Sequence, residues 1–466
     1  MGLDHIIPWL LDHGAVINDA SHGVNPCAGT AHRYESIMLG PIAWTPLEMA
    51  VCRRQLSSVA LLLERATGTQ DRAAVNGPQD QGLHIAVHHG HDEVVNLLLR
   101  SGRYDVNTLS THNELLVTLR GPGYRSHLPT LRALLQAKPD LTIESYCSNA
   151  SIFGVRLGTP AMSALPLHNT IAAGEYEAAL LLLEAGADAT APCRGFYPLH
   201  CAFFSDEEVE NEEDPSRLRL LKALLARGAD PNSRSSLAHL NGVTPLMLAA
   251  WYAPYPETIN LLLKHGADVN AVDEGGQNAL QWSVRPYLIW SYSSQSLQSL
   301  PARTDHDLNT SIQMARVVRL LLDNGCSVGQ KNLRGQCALQ HFAQHVEEAK
   351  AFDDVLAHHP EECAAAGCLD ESLRLSLNAG CFDTAYALSD AGVSPPSEKA
   401  MLEVTDNLLE EEGMAEDTTY MSGHYVLDDC KAFAEHVGIF GKDLQDYIAD
   451  FEKAHPRLED DEEDHP

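Results

Sequence analysis

Positive charge is scarce in this chain: 32 Lys and Arg stand against 64 Asp and Glu in 466 residues, a formal charge of −32. That imbalance argues against nucleic acid or an anionic membrane surface as a partner, and it favours a protein partner with a basic segment. Long apolar runs are missing as well. None approaches the roughly 18 consecutive apolar residues of a membrane span, so a soluble protein is expected. The opening Met1-Gly2-Leu3-Asp4-His5-Ile6 has no basic n-region or cleavage site, and Ile6 stands where a myristoylation motif needs Ser or Thr. Eleven cysteines are scattered singly, with no Cys-x-x-Cys pair, which fits a reducing cytoplasm or nucleus.

The signatures of catalysis are absent too. There is no Gly-x-Ser-x-Gly elbow, no phosphate-binding Gly-Lys-Ser/Thr loop and no dinucleotide fingerprint, so neither catalytic residues nor a cofactor are assigned and the chain reads as a non-enzyme. Histidine is abundant, at 23 residues, and His88-His89-Gly90-His91 draws the eye as a metal site. His341 and His345 are four apart, but no Glu follows either in the zincin arrangement. Cys363 and Cys368 are too widely spaced for a zinc knuckle and read as ordinary thiols. No metal site is assigned.

What the chain does have is a recurring phrase. Leu181-Leu182-Leu183-Glu184-Ala185-Gly186-Ala187-Asp188 returns at Leu224 to Asp230 and again at Leu261 to Asp268. A leucine-rich helix end, a glycine suited to a left-handed cap and a turn-starting Asp describe one helical unit reused along the chain. Shorter closures stand at Leu10 to Ala15, Leu97 to Gly102 and Leu320 to Gly325. The later copies are preceded by a helix opening, clearest in Thr244-Pro245-Leu246-Met247-Leu248-Ala249-Ala250 and Tyr197-Pro198-Leu199-His200-Cys201-Ala202. Thr244 can cap the helix, and Pro245 suits its first turn, where a missing amide donor costs little. Further openings lie at Thr45-Pro46-Leu47, Gly82-Leu83-His84, Leu165-Pro166-Leu167-His168, Asn278-Ala279-Leu280 and Cys337-Ala338-Leu339.

These openings resemble the ankyrin pattern Thr-Pro-Leu-His-x-Ala, over residues 1–395 and most closely over 165–340. The copies ending at Asp188, Asp230 and Asp268 lie 42 and 38 residues apart, beyond the ankyrin period of about 33, so insertions are expected. Weaker units are placed at Leu128 to Leu141 and Leu369 to Val393. The resemblance implies an all-α solenoid of stacked helix-turn-helix units with finger turns. Leu3 to Asn18 reads as the second half of a unit, which points to sequence preceding Met1 and to exposed apolar surface at Ile6, Ile7, Trp9 and Leu10. The acidic stretch Asp206 to Ser216 and the Ser/Gln-rich Trp290 to Asn309 read as disordered insertions.

Residues 396–455 are expected to form a helical C-terminal cap. Within it Leu444, Tyr447, Ile448 and Phe451 share one helix face. Residues 456–466 form an acidic, disordered tail. By the same resemblance, His84, His168 and His200 are structural histidines bridging neighbouring turns.

The resemblance further implies protein–protein recognition on the concave surface, where finger turns and the first-helix edges escape packing. Those slots hold Phe196, Phe204, Trp251, Tyr252 and Arg285, aromatic anchors with one Arg, and these are the expected partner-binding residues. Packing of the same aromatics beneath the insertions is the competing expectation. Behind the scaffold reading stand two others: the substrate-recognition part of an F-box-type ubiquitin-ligase adaptor with its other domain upstream, and a cryptic enzyme.

Overall fold

The computed structural model describes residues 6–15, 45–65, 82–109, 127–146, 163–203, 214–236, 240–252, 255–283, 308–345, 355–356, 360–365, 367–412 and 419–454. These are almost entirely helical, as expected of an all-α solenoid. The sequence places its boundaries at 395 and 455. By compactness the chain divides into two units, Met1–Asp230 and Pro231–Pro466.

The first unit opens with α1 (Ile6–Asp12), followed by the pairs α2 (Pro46–Cys52) with α3 (Leu56–Arg65) and α4 (Gly82–His88) with α5 (Asp92–Arg100). Next come α6 (Leu128–Gln136) and a two-residue antiparallel ribbon, β1 (Ser145–Tyr146) with β2 (Ser163–Ala164). The pairs α7 (Pro166–Ala172) with α8 (Tyr176–Glu184) and α9 (Pro198–Cys201) with α10 (Pro215–Ala226) complete it. The capping reading holds at α2, where the Glu48 amide donates to Thr45 Oγ1 at 3.2 Å and the Thr45 amide to Glu48 Oε2 at 2.8 Å. Helix α1 buries none of its residues, and Trp9 and Leu10 are exposed.

The second unit begins with α11 (Pro245–Tyr252) and α12 (Pro256–Lys264), then α13 (Ala279–Ser283) and α14 (Leu308–Asp323), then α15 (Ala338–His345) and α16 (Pro360–Ala365). The pair α17 (Leu369–Asn378) and α18 (Phe382–Asp390) follows, then α19 (Glu398–Glu412), α20 (Thr419–His436) and α21 (Lys442–Ala454). Helix α21 packs on α19 through buried Leu444 and Ile448, while Tyr447 and Phe451 on the same face are half-buried. Its first turn receives the Glu398 carboxylate, whose Oε1 accepts from the Leu444 amide at 3.1 Å.

The recurring phrase closes each helix by one chemistry. Gly186, Gly228 and Gly266 adopt φ of +100°, +89° and +89°, and the amide after each reaches back to Leu182, Leu224 and Leu262 at 2.9, 3.1 and 3.1 Å. In the second unit an asparagine then links consecutive repeats. Asn232 Nδ2 donates to the Gly266 carbonyl at 2.8 Å, and its Oδ1 accepts from the Asp268 amide at 2.7 Å. Asn270 repeats both bonds one step along, to Gly325 at 2.9 Å and from Ser327 at 2.8 Å. Asn270→Ala therefore removes two inter-repeat bonds at once, and a drop of about 1–2 kcal/mol is expected in urea unfolding. An unchanged midpoint would show that water replaces both without loss.

Candidate partner-binding surface

Two of the five expected contact residues belong to the core. Phe196 is fully buried. Its finger is a tight reversal in which Cys193 and Phe196 exchange backbone hydrogen bonds of 2.7 and 2.9 Å around Arg194 and Gly195, both at positive φ. That turn leaves Arg194 exposed and sends Phe196 inward, where its ring meets His200 edge-on at 5.9 Å. Arg194 is held outside by Glu144 Oε2 at 3.1 Å and Ser163 Oγ at 2.8 Å.

Trp251 is likewise buried, at 5% exposure, and stacks edge-to-face on Trp282 with ring centroids 5.2 Å apart. Trp282 in turn donates its indole N–H to Asp273 Oδ2 at 2.9 Å. The helix edge assumed open is closed because α11 is apolar on every side and Leu246 to Trp251 are all buried. Phe204, Arg285 and the side chain of Tyr252 lie outside the described residues, as do residues 206–213 of the acidic stretch.

In the second unit the finger turns form a row. Two of them match residue for residue. Asp273 to Gln277 is closed by the Asp273 amide on the Gln277 carbonyl at 3.0 Å, and Asn332 to Gln336 by the equivalent bond at 2.9 Å. In each, the side-chain oxygen of the first residue accepts from the amide of the last, at 2.8 and 3.0 Å. The fingers are also joined to one another. The Glu274 amide donates to the Asn241 carbonyl at 3.2 Å and the Leu333 amide to the Gly275 carbonyl at 2.8 Å. Arg234 Nη1 adds a bond to the Val272 carbonyl at 2.6 Å. Gly242 permits the close approach: a Cβ there would lie 2.9 Å from the Glu274 nitrogen.

On this joined strip Leu333 is 83% exposed, in the slot that Glu274 occupies in the preceding finger. Lys331 and Arg334, both exposed, flank it. Sequence reasoning passed over Leu333 although the signal was present, since Asn332-Leu333-Arg334-Gly335 sets an apolar residue in the frame of Asp273-Glu274-Gly275-Gly276. Among the described residues, no group of three or more His, Cys, Asp or Glu side chains is placed to hold a metal ion, and no helix is long and apolar enough to cross a membrane.

The profile of three ankyrin repeats matches residues 209–287, and that of a single ankyrin repeat matches 83–110. This chain is an ankyrin-repeat protein. An array of such repeats is a protein–protein interaction module.

Its relatives share the repeats within larger and different proteins. The putative palmitoyltransferase ZDHHC13 of Danio rerio is 34% identical over 119 residues, 25% of this chain and 16% of that protein. Neurogenic locus notch homolog protein 1 of Xenopus tropicalis is 36% identical over 120 residues, 25% of this chain and 4% of that protein. The ankyrin array thus spans a small fraction of the length of either. The crystal structure of the human ASB11 ankyrin repeat domain is similar over 51% of this chain and 90% of that domain, at 22% identity and a TM-score of 0.35.

Proposed function

We propose that this ankyrin module takes a protein partner on the finger edge of its second unit, with Leu333 as the apolar anchor. The observation that carries the reading is the exposure of Leu333 on a strip whose turns are fixed by backbone hydrogen bonds. A turn whose backbone is already fixed loses little backbone ordering entropy on binding. Its neighbours refine the partner. Arg234, Lys331 and Arg334 outnumber Glu274 along this edge, so the favoured partner places carboxylates around an apolar side chain. That is the reverse of the basic segment expected from the overall charge, because local complementarity rather than net charge selects a contact.

The test is a photo-crosslinking residue placed at position 333, beside a control at exposed Lys264, in the full chain within host extract. A discrete adduct at 333 that disappears on Lys331→Glu/Arg334→Glu supports the edge as the working surface. Equal labelling at 333 and 264, or adducts indifferent to the charge reversal, would sink it. With a partner in hand, Leu333→Asp should weaken binding by about tenfold or more while leaving folding stability within about 0.5 kcal/mol.

A further inference from the structure

The row of fingers in the second unit is a ladder that stops one step early. The carbonyl before each turn glycine accepts from the second residue of the next finger: Asn241 from Glu274 at 3.2 Å, and Gly275 from Leu333 at 2.8 Å. Arg334 holds the equivalent carbonyl in finger 332–336, and among the described residues no amide donates to it. The glycines give an independent sign. A Cβ on Gly242 would lie 2.9 Å from the Glu274 nitrogen, and one on Gly276 3.2 Å from the Asn332 Cα, because the following finger covers each. Gly335 has the same φ as Gly242, +77°, yet a Cβ there would meet nothing within 4 Å among the described residues.

The missing step has its cause in chain length. Residues 265–278 and 324–337 each join the second helix of one repeat to the first helix of the next, and they contain the fingers 273–277 and 332–336. The equivalent connection between α16 and α17 is residues 366–368, shorter than one finger. The next repeat therefore packs α17 on α15 without extending the ladder. Along the edge left open, Lys331, Leu333, Arg334 and Gly335 are all exposed. A backbone acceptor beside a glycine that admits close approach is the chemistry by which an extended segment adds to a sheet edge.

We propose that the open edge of finger 332–336 takes an extended, acidic segment of a protein partner, which lies where the missing finger would be and donates a backbone amide to the Arg334 carbonyl. This rests on the finger edge being the working surface, and it adds the main-chain contact that selects the partner's conformation. Charge decides among occupants. Lys331 and Arg334 favour carboxylates flanking the docked amide. A second copy of this chain, docked edge to edge, would set the same two cations against their own counterparts and is disfavoured. Recognition thus has two requirements: an extended backbone with a free N–H, which excludes proline at the donating position, and negative charge beside it.

The test selects displayed random peptides on the full chain, then measures the enriched ones against Gly335→Asn and after N-methylation of one peptide amide at a time. Asn tolerates positive φ, and its side chain at 335 enters open space in the free protein, so the variant folds while covering the edge. The expected result is enrichment of peptides bearing Asp or Glu, weakened about tenfold by Gly335→Asn and by N-methylation at a single position. Gly242→Asn, pressed against the next finger, should lower the urea midpoint more than Gly335→Asn does. Equal midpoint losses would show the 335 edge to be covered and overturn the proposal. Peptides that need Leu333 but are indifferent to Gly335→Asn and to every N-methylation overturn it too, while leaving Leu333 as the anchor. It is equally overturned if no peptide is enriched, if the enriched peptides lack acidic residues, or if light scattering shows a dimer of the full chain that Gly335→Asn dissociates. Should Gly335→Asn fail to fold, the N-methylation scan decides alone.

Discussion

Phe196→Ala lowers the stability of the unit formed by Met1–Asp230 by about 3–5 kcal/mol, the cost of emptying a fully buried aromatic site. The urea midpoint is the measurement, followed by hydrogen exchange to confine the loss to that unit. An exposed binding anchor behaves in the opposite way: its truncation leaves folding within about 0.5 kcal/mol and costs about 2 kcal/mol or more of affinity. A Phe196→Ala chain with an unchanged midpoint and a lost partner would contradict its placement in the core. Trp251→Ala should follow the same course in the other unit, because Trp282 loses its ring neighbour.

Acidification should unfold the first unit well before its carboxylates are neutralised. Burial lowers both His84 and His168 from 6.5 to about 4, against weaker support from the Thr108 and Phe196 backbones. Above pH 6.5 each is neutral, folded or unfolded. Between 6.5 and about 4 the unfolded chain binds protons that the folded chain refuses, so stability falls with pH by up to roughly 3 kcal/mol per histidine. The depressed carboxyls act in a lower window. Asp188 and Asp140 are held down by the Thr190 and Thr142 hydroxyls, Glu144 by Ser163 and then Arg194, and their contributions vanish as pH falls through values below 3.8 and 4.5. Urea midpoints at pH 7, 5.5 and 4.5, compared with a His84→Gln/His168→Gln chain, separate the two. The double variant starts weaker and shows a flatter slope; equal slopes would remove the histidines as the cause.

The helices were legible because their cues are local. Thr45 with Glu48 announces a capped start, and a leucine run before a glycine announces a closed end, without reference to the rest of the chain. The candidate site was less legible, because exposure depends on the hand of a turn and on neighbouring repeats. Phe196 stands in a finger by sequence, yet the positive φ of Arg194 and Gly195 turns it inward. Trp251 looks like an open helix edge until Trp282, one repeat along, closes over it. Leu333 could have been found by aligning fingers rather than helices.

Residues 204–213 and 284–307 fall between the two helices of a single unit, whereas inter-repeat bonds run through the fingers and Asn232 and Asn270. Length is therefore uncoupled from register. Foreign sequence grafted into either interruption would travel as cargo on an undisturbed scaffold, but a single residue added within 273–277 or 332–336 would break the closing bond of its finger and shift the frame of the next.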